Sequence, residues 1–143
     1  MDIFTTMKIS ASALKAQRVR MNAISSNLAN IETTRTPDGG PYRKREVVFQ
    51  SSTDGFARAL DNQMHDAVQG VKVAQVQAST LPPRMVYDPS HPDADENGQV
   101  AMPNISLVEE TADMMSASRA YETNVTVVKS AKRMALKALE IGK

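Results

Sequence analysis

The 143-residue chain has no cysteine, no tryptophan and only six aromatic residues. The first absence excludes disulfides, thiol nucleophiles, iron–sulfur clusters and cysteine-based zinc sites. The scarcity of aromatics, with nine methionines among the apolar residues, is thin material for a globular core. It suits helices that finish burying their faces against other chains. No apolar run is long enough to span a bilayer, and no apolar h-region of a cleavable secretory signal follows the early basic residues. The chain is therefore expected to be neither membrane-spanning nor carried out of the cytoplasm by a cleaved signal. An excess of one charge is also missing. Seventeen bases against sixteen acids leave a net charge of +1, which gives no bulk electrostatic reason to bind nucleic acid. The balance is uneven along the chain, since residues 1–31 hold four bases against Asp2 alone, whereas residues 32–106 hold seven bases against ten acids.

Glycine and proline are absent from Ile3 to Ile31, and Met7, Leu14, Met21 and Leu28 recur at intervals of seven. That spacing predicts one long helix with an apolar seam. Phe4, Ala11, Arg18 and Ser25 occupy the companion positions, and a second stripe of Met21, Ile24, Leu28 and Ile31 widens the apolar face near the helix end. A second long helix is predicted from near Leu107 to Ile141. Ser106-Leu107-Val108-Glu109 has the form of a capping box, and acids early with bases late suit the helix dipole. On this helix Met114, Tyr121, Val128 and Ala135 fall seven apart, interleaved with Ala117, Asn124, Ala131 and Ala138. The small residues allow close approach of another backbone, and Asn124 in the seam would fix register if it finds a partner.

Residues 32–104 contain all seven prolines and five of the six glycines, so no continuous helix crosses them. Short strands are predicted at Tyr42–Gln50, Val71–Val76, Arg84–Tyr87 and Val100–Met102, separated by turns such as Asp38-Gly39-Gly40-Pro41 and Asn97-Gly98. A short helix is conceivable around Phe56–Met64. The predicted class is mainly α with a small β module, the terminal helices pairing as a coiled coil. The division is residues 1–31 with 107–143 as the helical domain and 32–106 as the β/loop module.

No catalytic constellation emerges, and neither an enzyme activity nor a cofactor is expected. Asp93-Ala94-Asp95-Glu96-Asn97-Gly98 opens like a calcium loop, but the twelfth position is Asn104 rather than a bidentate Glu and the eleventh is Pro103, which favours a plain Asx turn. His65 and His91 have no metal-binding spacing, although His91 lies among Asp88, Asp93 and Asp95. Arg43-Lys44-Arg45 could touch phosphate or an acidic partner, but such a short run reads first as a solvated strand edge. The basic amphipathic first helix could lie on an anionic membrane or be held by a carrier, but pairing with the second helix is the simpler use.

Ser26-Asn27-Leu28-Ala29-Asn30, followed by Thr33, Gly39 and Pro41-Tyr42, resembles the N-terminal motif of the flagellar basal-body rod and hook family. The likeness continues through Pro37–Arg43, Val86–Asp95 and Met102-Pro103-Asn104, then through Met115–Val125 and Ala138–Gly142, and its central segments point to the family's short proximal-rod members. Gln99 stands where the family usually has an aromatic, and Glu110-Thr111 where it usually has Glu-Met. The resemblance implies a structural subunit stacked helically into a hollow axial rod that crosses the periplasm and transmits torque. It also implies delivery through the flagellar type III export apparatus on an uncleaved N-terminal signal, with other copies and other rod proteins as partners. The first seam is then expected to face Tyr121, Val128 and Ala135, with Asn27, Asn30 and Asn124 as hydrogen-bonding register pins. The alternative is a soluble helical adaptor or export-chaperone-like binding protein.

Overall fold

The computed structural model describes residues 3–52 and 70–141. The chain runs α1 (Ile3–Ala29), β1 (Arg45–Ser52), β2 (Gly70–Ala78), β3 (Arg84–Tyr87), β4 (Gln99–Met102) and α2 (Leu107–Ile141). The expected short helix at 56–64 and His65 lie outside the described residues.

α1 ends where Asn30 turns back on it. The Asn30 backbone N–H and side-chain Nδ2 both donate to Ser26 O, at 3.2 and 2.9 Å, which satisfies a carbonyl that the last turn would leave orphaned. α2 begins with the hydroxyl half of the capping box. Ser106 Oγ accepts from Glu109 N at 3.4 Å, while the reciprocal bond, from the Ser106 N–H to the Glu109 carboxylate, is absent among the described residues. Glu109 and Glu110 occupy the first turn, where the positive end of the dipole favours them.

The two helices run antiparallel along each other, since Arg20 of α1 meets Asp113 of α2 and, closer to the end of α1, Asn27 meets Glu110. Their contact is made of small residues. Ala16, Ala23, Ala117 and Ala131 are buried, along with Ile24 and Ser10, and alanine's lack of bulk lets the backbones approach closely. Lengths of 27 and 35 residues at about 1.5 Å per residue make α2 longer by roughly 12 Å. Because Asn27 and Glu110 align the end of α1 with the start of α2, the excess falls at the C-terminal end of α2.

The middle forms two antiparallel hairpins. β1 pairs with β2 from Arg45↔Ala78 to Ser52↔Gly70, with a register shift between Val48 and Phe49 that leaves Ala74 without an opposite residue, the extra residue of a bulge. This hairpin packs on α1. Gly70 allows the close approach, because a Cβ there would come 2.9 Å from Ser12 Oγ, the same oxygen that accepts from Val71 N at 3.1 Å. β3 pairs with β4 from Arg84↔Met102 to Tyr87↔Gln99. Val100 is fully enclosed, with Pro103 and Ile105 buried beside it in sequence.

Candidate assembly site: a polar junction at the root of the helix pair

Asn27 lies on the last full turn of α1 and is only 1 % exposed. Its amide is fully used. Nδ2 donates to Arg45 O and to Glu110 Oε2, both at 3.0 Å, and Oδ1 accepts from Arg45 N at 2.8 Å and from Tyr42 Oη at 3.1 Å. Two donors and two acceptor lone pairs are all that an asparagine has. The side chain thus pairs with both backbone groups of Arg45 at the start of β1 and joins that strand to the first turn of α2. Tyr42 spends its single proton on Asn27, so the 3.1 Å contact between Ser26 Oγ and Tyr42 Oη has the serine as donor.

Glu110 is also 1 % exposed, and Lys44 Nζ sits 2.7 Å from its Oε1. A carboxylate this far from water needs both a counter-charge and hydrogen bonds; Lys44 supplies the first and Asn27 the second. The hydrogen bond to Glu110 leads in holding the Lys44 ammonium above its ordinary pKa of 10.5; burial opposes the shift, and the negative charges of Glu110, Glu109 and Asp113 reinforce it. A second ion pair, Arg20 to Asp113 at 2.8 Å, flanks the first. An open cleft lined by Arg20, Asn27, Lys44, Glu46, Glu110 and Asp113 lies over the junction. Arg20 is paired with Asp113, and Lys44 and Asn27 with Glu110, so the chemistry of the cleft is that of a clamp.

The comparisons decide the family. Residues 7–35, which span most of α1 and its Asn27 turn, match the model described as flagella basal body rod protein, and residues 96–141, which span β4 and α2, match the flagellar basal body rod FlgEFG protein C-terminal model. The chain is 44 % identical to the flagellar basal-body rod protein FlgC of Bacillus subtilis, over 100 % of both chains. It is 43 % identical to that of Borreliella burgdorferi over 99 % of this chain and 98 % of the relative, and 44 % identical to that of Salmonella typhimurium over 99 % of each. The chain belongs to the FlgC family. Within this FlgC-family chain the two matched segments are the ones that the Asn27–Glu110 bond ties together.

Of the three asparagines singled out in the sequence, Asn27 alone reaches another element. Asn30 bonds Ser26 O and accepts from Thr33 Oγ1, and Asn124 Nδ2 donates to Ala120 O inside its own helix at 2.8 Å. Met7, Leu14, Met21 and Leu28 on α1 are half-buried, as are Met114, Tyr121, Val128 and Ala135 on α2. The fully buried line on α2 is Glu110, Ala117 and Ala131, with half-buried Asn124 at the intervening position. Lys44 requires a correction. It is not part of a solvated edge, because it turns inward to Glu110, while Arg43 and Arg45 on either side stay exposed. Glu110 was missed as a site residue because a glutamate in a first helical turn already has a sufficient local reason. Its sequence signal was the pair Glu109-Glu110, of which the dipole needs only one.

Proposed function

We propose that this chain is a structural subunit of the flagellar basal-body rod whose helical surface is completed by neighbouring subunits. The observation that carries this is the apolar surface left on the helix pair. Phe4 on α1 and Met134, Leu136 and Leu139 on α2 are more than half exposed, and the last three lie at the end of α2 that outruns α1. Complete burial of a side chain of this size is worth about 1.5–3 kcal/mol, and the half or more of each still exposed leaves a large share of that for assembly. Names carried by the relatives, all flagellar basal-body rod proteins, fit that use.

In this reading residues 1–31 and 107–143 form the packing domain and residues 32–106 a module carried on it. Met7, Leu14, Met21 and Leu28, with Met114, Tyr121, Val128 and Ala135, divide their half-buried surface between the partner helix and adjacent subunits. The neighbours are copies of this chain and other rod proteins. Stacked helically in the periplasm, the subunits make a hollow axial shaft that carries torque and passes exported chains. The function is mechanical, with no reaction to catalyse. Delivery is by the flagellar type III apparatus, with an uncleaved N-terminal signal. Helices and hairpins without disulfides suit a chain that travels unfolded.

The test is complementation in the bacterium that carries the chain, after deletion of its own gene. Wild-type protein restores motility and is recovered in purified basal bodies. The surface variant Met134→Glu/Leu139→Glu, which changes only side chains more than half exposed, is exported but not incorporated. Normal incorporation of that variant refutes the assignment of the overhang to subunit packing, and motility of the deletion strain refutes the rod role.

A further inference from the structure

Charge is sorted within the middle of the chain. Between Arg84 and Arg119 there is no lysine or arginine, while Asp88, Asp93, Asp95, Glu96, Glu109, Glu110 and Asp113 all fall there. The first four crowd the β3–β4 turn. On the other side, Arg35, Arg43 and Arg45 line one open groove of about 760 Å³ between the segment after α1 and the β1–β2 hairpin, with Asp38 the lone acid in its wall.

The two features are neighbours, yet they scarcely neutralise each other. Thr34 Oγ1 donates to Asp93 at 2.8 Å and Arg35 lies 3.7 Å from the same carboxylate, which roots the acidic turn beside the groove's rim. Among the described residues, the Arg43 and Arg45 side chains meet no acid. At the turn, Asp95 Oδ1 accepts from Asn97 N and Gln99 N at 2.9 and 2.8 Å, which fixes the loop and leaves the second oxygen of Asp95 and the whole Glu96 carboxylate facing solvent. Two exposed guanidinium groups and two exposed carboxylates thus remain, on adjacent but different patches of one surface.

We propose that the arginine groove receives the acidic β3–β4 turn of a second copy, with Asp95 and Glu96 of one subunit meeting Arg43 and Arg45 of the next. This rests on the rod-subunit reading and names one of its contacts. Because the turn and the groove are different patches, the contact is heterologous: each subunit gives its turn to one neighbour and its groove to another, which generates rows rather than closed pairs. Pairs of this kind at an exposed rim are individually modest and act mainly on encounter and partner choice. Within an ordered array the same contact repeats at every subunit.

The chain's lack of cysteine makes the test clean. Arg43→Cys and Glu96→Cys, both at exposed positions, are made as separate single variants and expressed together in the deletion strain, and basal bodies are purified and oxidised. A mixed disulfide dimer is expected, and the double variant should give a ladder of dimers and higher species. Arg43→Glu/Arg45→Glu should cut incorporation by about tenfold, the lower end of what electrostatic steering does to association, and adding Glu96→Lys to the same chain, which leaves the Asp95 bonds that fix the turn in place, should restore much of it. Three results overturn the contact: basal bodies that hold the chain but show no mixed dimer, cross-links confined within one chain, or dimers formed as readily by the Arg43→Cys variant alone. Absence of the wild-type chain from basal bodies overturns the rod reading instead, and this contact with it.

Discussion

Removing Lys44 should cost more stability than removing the charge it neutralises. Glu110 is 1 % exposed and Lys44 Nζ lies 2.7 Å from it, with the lysine side chain 23 % exposed. At an effective dielectric near 20 the attraction is about 6 kcal/mol gross, most of it offset by the several kcal/mol needed to take the carboxylate out of water. Lys44→Met therefore leaves an enclosed charge with only the Asn27 amide for company. Its cost should be about 3 kcal/mol, the lower end for a broken buried pair because the site has an open side. Glu110→Gln keeps the shape and leaves an ammonium that can swing to water, at a cost of about 1 kcal/mol. The combined variant should cost only about 1–2 kcal/mol, so the second substitution rescues the first by about 5- to 30-fold in the unfolding constant. Urea denaturation of the purified chain, followed by far-ultraviolet circular dichroism, gives all three values. Equal and additive costs for the two single variants would show that Glu110 is solvated and that the junction is not a clamp.

Asn27→Leu should destabilise the chain by about 2–4 kcal/mol, since it strands both backbone groups of Arg45 and one oxygen of Glu110; Asn124→Leu, which loses one bond within its own helix, should change stability by less than about 1 kcal/mol in the same assay, and a larger loss there would support a register-pin role within the subunit. The raised pKa of Lys44 sets the sign of a pH effect: its contribution is complete below 10.5 and is lost as pH rises through the higher folded value, so the urea midpoint should fall above pH 10.5 in wild type and much less in Glu110→Gln. Gly98→Ala should cost about 1–3 kcal/mol, because φ is 71° and the new Cβ would come 3.0 Å from Tyr87 Cε2 and 3.2 Å from Pro89 Cβ, whereas Gly39→Ala, also at positive φ but in open space, should cost less; thermal melts of the two variants compare them directly.

Periodicity carried the elements because the determinants were local. The start of α2 at Leu107 follows from Ser106 and the acids after it, and β3 at Arg84–Tyr87 matches its expected span. The helix seams were legible as faces, and on α2 the small residues Ala117 and Ala131 already marked the line of close approach, but on α1 the centre was not legible. A heptad count rewards the largest apolar side chains, Met7, Leu14, Met21 and Leu28, while closest approach goes to the smallest, and Ala16, Ala23, Ala117 and Ala131 are the buried ones. The junction was legible by half. Asn27 stood out within Ser26–Asn30, but its partners lie 18 and 83 residues away, and nothing in a charge run distinguishes Lys44, which turns inward, from Arg43 and Arg45, which do not.

Those two separations also order the formation of the junction. Asn27 and Arg45 close a loop of 18 residues, whereas Asn27 and Glu110 close one of 83, and the logarithmic cost of closure makes the longer loop about 1.4 kcal/mol more expensive if both closed independently. Once Asn27 holds Arg45, however, Lys44 is placed next to it, and Glu110 then finds a hydrogen-bond donor and a counter-ion already positioned together. Docking of α2 is thus expected to be the later step, and it is the helix that carries the exposed Met134, Leu136 and Leu139 at its far end. In the isolated subunit, amides of α2 should exchange with solvent at least several-fold faster than the Arg45 amide, which is held by Asn27. In Lys44→Met the gap should widen, because the preassembled half of the Glu110 site is gone while the Asn27–Arg45 pair is intact. Equal protection across α2 and Arg45, unchanged in the variant, would mean that the two helices and the hairpin form in one step and that Asn27 does not prepare the site for Glu110.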